Sequence, residues 1–118
     1  MSSEFRSVCF SHDANLLETR RLLLAPRFNS FSVCDLQELA SFANQGPVHL
    51  LVLCHTIPEK ECMLAIKTVR ATSPDVKVMT FASVFSPKSC HGDVVIGTLD
   101  GPAIFLRKAD ELVLHSAL

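Results

Sequence analysis

The chain has no tryptophan, no tyrosine and only four glycines among its 118 residues. Without Trp or Tyr it is poorly supplied with platforms for stacking on bases or sugars, and its core has to come from aliphatic side chains and the eight phenylalanines. Four scattered glycines leave no glycine-rich cradle for a nucleotide or flavin phosphate. Charge is sparse as well: 19% of residues are charged, and the formal net charge is −1 with both signs interspersed. That balance lacks the basic footprint of a nucleic-acid-binding surface. No apolar run approaches the ~18 residues that a membrane helix needs. The opening "MSSEFRSVCF" turns apolar too early and too briefly for a signal peptide, so a cytoplasmic chain is expected.

Five cysteines (Cys9, Cys34, Cys54, Cys62, Cys90) are present, an odd number without paired spacing. In a reducing compartment, disulfides are not the default, and a thiol in apolar surroundings acts as a small hydrophobe. His12, Cys54, His55, Cys62 and Cys90-His91 lack the close C-x-x-C or H-x-x-x-H spacing of a zinc site. His12 and Cys54 should still approach each other at strand ends, where a two-ligand site is conceivable; no metal or other cofactor is expected. A phosphatase-type loop needs Cys, five residues, then Arg. That position is Lys60 after Cys54 and Asn15 after Cys9, so both fail.

What is present is an alternation of short apolar runs with helical patterns. Ser7–Phe10 reads as a first strand. Asp13 or Ser11 then caps a helix in which Leu16, Leu17, Arg20, Leu23 and Leu24 recur at helical spacing until Pro26. Arg20-Arg21 is expected on its solvated face. Phe31–Cys34 is a second strand, and Asp35 caps a helix ending at Gly46-Pro47. His49–Cys54 is nearly continuous in aliphatic residues, the pattern of a central parallel strand buried on both faces. Pro58 suits the first turn of a helix running to about Ala71, with Glu59 and Glu61 beside its positive dipole end.

Val76–Phe81 and Val94–Ile96 are the fourth and fifth strands. The stretch between them, residues 82–92, is too short and broken for a good helix. Asp100-Gly101-Pro102 opens a last helix to about His115. The pattern predicts a single α/β domain over residues 1–118: a (βα)5 sandwich with a parallel sheet in the order 2-1-3-4-5 and a fourth helix that is short or missing. With the sequence ending at its last helix, no effector domain is expected.

These residues carry a resemblance. From about Ser7 to Leu114 the chain resembles a receiver domain of the two-component response-regulator family, which has a flavodoxin-like fold. "HLLVLCHTIP" is similar to that family's third strand and loop, written as an aliphatic strand, Asp, three residues, Pro. "FSHDANLLETRRLLL" resembles the acidic first strand end and first helix. "SPDVKVMTFAS" resembles the fourth strand, and "GDVVIGTLDGPAIFLRKADELV" the fifth strand and last helix. The likeness is closer still to degenerate receivers of soil bacteria such as acidobacteria, with a similar His-Ser/Thr-Ile-Pro and Asp-Gly-Pro.

The family's phosphoryl transfer uses an acceptor Asp, an acidic pair holding Mg²⁺, a Thr or Ser, and a Lys. By this resemblance the acceptor position falls on Cys54, counted back from Pro58. The acidic pair falls on Ser11 and His12, with Asp13 at a variable third place. The Thr/Ser position falls on Ala82, with Ser83 or Thr80 as register alternatives. The Lys position falls on Thr98, or on Gly97 with a one-residue shift. All four are changed, so the resemblance implies a non-enzymatic signalling module that is not phosphorylated by the usual Asp route. Its expected partner is a protein, a histidine kinase or another signalling protein, and neither nucleic acid nor membrane. A second reading is a thiol-based sensor or small thiol enzyme using Cys54. Against it, Cys54 also reads as a neutral thiol filling the space of a lost carboxylate, and His55 should point away from it.

Overall fold

The computed structural model describes residues 5–26, 28–54, 56–82, 93–97 and 101–117. In chain order the elements are β1 (Arg6–Phe10), α1 (Ala14–Leu24), β2 (Asn29–Val33), α2 (Leu36–Gln45), β3 (Leu50–Leu53), α3 (Glu59–Arg70), β4 (Lys77–Ala82), β5 (Val94–Gly97) and α4 (Pro102–Ala117). The five strands form one parallel sheet in the order β2-β1-β3-β4-β5, the expected flavodoxin-like arrangement. The expectation of a short or missing helix between the fourth and fifth strands falls on residues outside those described. Among the described residues no helix is long and apolar enough to cross a membrane.

Period-two alternation along the strands divides the core in two. Val8, Phe10, Leu51, Leu53 and Val78 face α2 and α3, where Leu39, Phe42, Cys62, Ala65 and Val69 meet them. Cys9, Leu50, Val52, Met79, Phe81 and Ile96 face α1 and α4, meeting Leu24, Phe105, Ala109 and Val113. All four residues of β3 are buried, which accounts for its unbroken Leu-Leu-Val-Leu sequence.

Local chemistry sets the helix starts. The Asp35 carboxylate accepts from Glu38 N (2.7 Å), and Glu38 reaches back to accept from Cys34 N (2.9 Å), a reciprocal cap for α2. Pro58 stands at the N-cap of α3, one residue before the helical turn that the sequence suggested. Its carbonyl accepts from Cys62 N (2.9 Å), and Glu59 and Glu61 occupy the first turn.

Two expectations need adjustment. β2 begins at Asn29 rather than Phe31, because Asn29 and Ser30 already pair with Arg6 and Ser7. These polar residues sit on an edge strand, where propensity is a weak guide. Arg20 does not lie on a solvated face. It is 8% exposed, and its guanidinium lies 3.8 Å over the Phe81 ring. Its long stem lets it follow the apolar face of α1, while Arg21 stays outside and pairs with Glu18 (2.6 Å). His49 is half-buried: its Nδ1 accepts from Arg6 N (3.0 Å), and Phe5 meets it edge-on.

The division into a buried sheet and an exposed shell predicts unequal costs of truncation. Leu51→Ala, in the centre of β3, should lower unfolding free energy by about 2–5 kcal/mol. Leu22→Ala, on the exposed side of α1, should stay within about 0.5 kcal/mol of the parent. Urea unfolding of both variants measures the difference.

Candidate functional site

In an open parallel sheet, the carboxyl ends of the central strands are where ligands and chemistry gather. Here the central pair is β1 and β3. Phe10 pairs with Leu53, so Ser11 and Cys54 leave the sheet side by side, and Cys54 N extends the ladder by donating to the Phe10 carbonyl (3.1 Å). Both residues are buried. Thr56 Oγ1 donates to Cys54 Sγ at 3.2 Å and lies 3.4 Å from Ser11 Oγ, within hydrogen-bonding distance. Ile57 N donates to the Cys54 carbonyl (3.2 Å), bending the chain so that Thr56 comes back over the sulfur.

The next residues are used to build the local frame. Ser11 Oγ accepts from Asp13 N (3.0 Å), and Asp13 Oδ1 accepts from Asn15 N (3.0 Å) at the start of α1. His12 turns outward, and its Nε2 donates to Glu61 Oε2 (2.6 Å), joining the β1–α1 turn to the first turn of α3. The imidazole also meets Phe10 edge-on, with ring centroids 5.7 Å apart. His12 titrates above its ordinary range, chiefly because of the hydrogen bond to Glu61.

The Cys54 thiol is subject to opposed influences. Burial pushes it up, but the Ser11 hydroxyl, the Thr56 hydroxyl and N–H, and the charge of Arg20 together carry it below the usual thiol value. Cys9, on the same strand pair, lies among apolar side chains, and burial pushes it up to about 12. Cys62 is also buried, with its Sγ 3.6 Å from the Ile57 carbonyl. Exposed Cys34 donates to Glu38 Oε2 (3.4 Å), which raises its pKa.

The remaining positions singled out in the sequence are distributed as follows. Ala82 is the last residue of β4 and pairs with Gly97, the last residue of β5. Thr80 is fully buried beside Leu53, and its hydroxyl finds no hydrogen-bond partner among the described residues. Thr98, His55, Ser83, Cys90 and His91 lie outside the described residues. Thr56 is the site residue that sequence reasoning missed. Its signal is its position two residues beyond Cys54, within reach of that residue once the loop turns.

The donor set does not suit Mg²⁺, which takes oxygen ligands and favours carboxylates. Ser11, His12 and Cys54 offer a hydroxyl, an imidazole already paired with Glu61, and a thiol, while Asp13 Oδ1 holds Asn15 N. Among the described residues one group of three potential ligand side chains converges, Cys34, Asp35 and Glu38, all exposed. The reciprocal cap of α2 accounts for that convergence.

No family model matches the chain, and no curated protein is significantly similar to it. Solved structures are similar in fold. A CheY-like response regulator receiver domain protein from Methanospirillum hungatei JF-1 superposes with a TM-score of 0.77 at 10% identity, over 93% of this chain and 94% of that one. A two component transcriptional regulator AraC from Clostridium phytofermentans ISDg gives 0.75 at 14% identity, over 97% and 98% of the two chains. The crystal structure of the P1 domain of CheA3 in complex with CheY6 from R. sphaeroides contains a chain matching at 0.72 and 16% identity, over 96% and 99%. At identities this low, the likeness shows a shared CheY-like, flavodoxin-like fold.

The His12–Glu61 pair gives a signed pH dependence. The folded-state pKa of His12 lies above its unfolded value near 6.5. The pair therefore contributes fully below that unfolded value, and the contribution is lost as pH rises through the folded value. Exposure of both side chains limits it to less than about 1 kcal/mol. In Glu61→Gln, the stability deficit against the parent should be present near pH 5.5 and vanish at alkaline pH, with the His12 NMR titration moving downward.

Proposed function

We propose that this chain is a degenerate receiver domain, acting in signal transduction through protein–protein contacts and not phosphorylated by the usual Asp route. One observation carries the reading. At the carboxyl ends of β1 and β3, where a receiver would hold its acceptor carboxylate and metal-binding acids, Cys54 and Ser11 are buried and linked through Thr56. The receiver route of phosphoryl transfer needs a carboxylate nucleophile and a cation to neutralise the charge of the transferred group. A thiol and two hydroxyls in that place supply neither the acyl phosphate chemistry nor an oxygen-anion cage.

Under this reading Cys54 stands at the acceptor position, and Ser11, His12 and Asp13 at the acidic positions. Ala82 stands at the Thr/Ser position and Thr98 at the Lys position. His12 pairs with Glu61, and Asp13 accepts the Asn15 amide at the start of α1, so these two positions have structural tasks. The fold shared with CheY-like domains supports a signalling role, and the CheA3–CheY6 complex is an instance of that fold meeting a protein partner. The partner is accordingly a histidine kinase or another signalling protein in the cytoplasm, and the output is a docking event rather than catalysis.

Incubation with acetyl phosphate and Mg²⁺ followed by intact-mass measurement tests the reading. The expected result is no phosphoryl adduct. An adduct that disappears when one carboxylate is replaced by its amide overturns it.

A further inference from the structure

At the amino ends of β1, β3 and β4, opposite the Cys54–Ser11 end of the sheet, a cavity of about 320 Å³ opens to solvent. Phe5, Val48, Val76 and, from α4, Val113 give it apolar walls. His49, Ser73, Asp75 and Lys77 border it as well. Backbone bonds hold this rim in place: His49 N donates to Arg6 O (2.9 Å), and Lys77 N donates to His49 O (3.0 Å). Val48 N donates to Ser73 Oγ (2.9 Å), tying the turn before β4 to the start of β3.

The polar groups of the rim are mostly donors. Arg6 N–H can only donate, so His49 Nδ1 accepts, and the neutral ring carries its proton on Nε2. That Nε2–H meets no acceptor among the described residues. Ser73 is 7% exposed; its oxygen is occupied by Val48 N, and its own hydroxyl proton goes to no acceptor among the described residues. Lys77 has no carboxylate within ion-pairing distance among the described residues. The Thr72 hydroxyl is already spent on the Val69 carbonyl (3.3 Å). The rim therefore offers three donors, one of them a cation, and one anion at exposed Asp75. A simple carboxylate would leave Asp75 facing a like charge, and a simple amine would leave Lys77 in the same position. A zwitterion with an apolar body matches both charges and the walls.

We propose that this cavity binds an apolar α-amino acid, its carboxylate taken by Lys77, His49 Nε2–H and Ser73 Oγ–H and its ammonium facing Asp75. The volume lies at the small end of the ordinary range for ligand pockets, about 300–1,000 Å³, as a single amino acid requires. The inference does not rest on the receiver reading, because the cavity lies at the other end of the sheet: an amino acid tests one and acetyl phosphate the other.

The experiment titrates the full chain with L-leucine and follows the His49 ring by NMR near neutral pH. A saturable shift with Kd of about 1 mM or tighter is expected from a ligand of this size. Isocaproate, which is leucine without its amino group, and isoamylamine, which lacks the carboxylate, should each bind about tenfold more weakly or worse. Lys77→Met should weaken leucine by about tenfold, and Lys77→Arg, which keeps the charge, should recover most of that loss. Asp75→Asn should remove the preference for leucine over isocaproate. If Lys77→Met does not fold, Asp75→Asn, at an exposed position, decides alone. A His49 ring that leucine does not shift, isocaproate binding the parent as tightly as leucine, or a preference unchanged in Asp75→Asn overturns the proposal.

Discussion

In the parallel pairing of β1 with β3, each residue of one strand is matched to a residue of the other, from Ser7 with Leu50 to Phe10 with Leu53. Nearly everything else depends on that register. It aligns Val8 and Phe10 with Leu51 and Leu53 under α2 and α3, and Cys9 with Val52 under α1 and α4. A slip of one residue would turn each apolar set toward the wrong helices. The same register brings Ser11 and Cys54 off the sheet together. The site is therefore a direct continuation of the core ladder.

The loops above that ladder are held by short polar side chains acting on nearby backbone. Ser11 takes the Asp13 amide, Asp13 takes the Asn15 amide, and Thr56 closes over Cys54. His12 and Glu61 tie the β1–α1 turn to α3 from outside. A cluster of carboxylates in this place would repel and require a bound cation to hold it together. The hydroxyls, thiol and outward ion pair need none, so the strand ends can stay closed with their own side chains. That difference is the physical argument behind the proposed degenerate receiver.

Arg20 shows how the two helical layers bear on this site. It comes from α1 and stacks on Phe81 of β4, and its charge reaches thiols on β1 and at the end of β3. Cys9 and Cys54 are the same chemical group on neighbouring strands, yet burial pushes the first up to about 12 while donors hold the second below its usual value.

Much of the fold was legible because it rests on periodicity. The unbroken aliphatic stretch at Leu50–Leu53 and the alternation of runs and helices suffice for strand order and layers. Asp35 and Pro58 mark the helix starts to within a residue. The beginning of β2 was less legible, since Asn29 and Ser30 become strand only by pairing with Arg6 and Ser7. Position 20 falls on the inward stripe of α1 by spacing, but its charge argued for solvent. Only the face of the sheet, with Phe81 placed to receive a guanidinium, decided the matter. By itself the sequence determined that residues of these types would stand at the carboxyl ends of a parallel sheet, because hydrophobic period is a local property. Tertiary structure alone decided that Thr56 closes on Cys54, that His12 turns to Glu61 and that Arg20 lies buried over Phe81, because each contact joins groups whose meeting depends on how the strands, turns and helices pack.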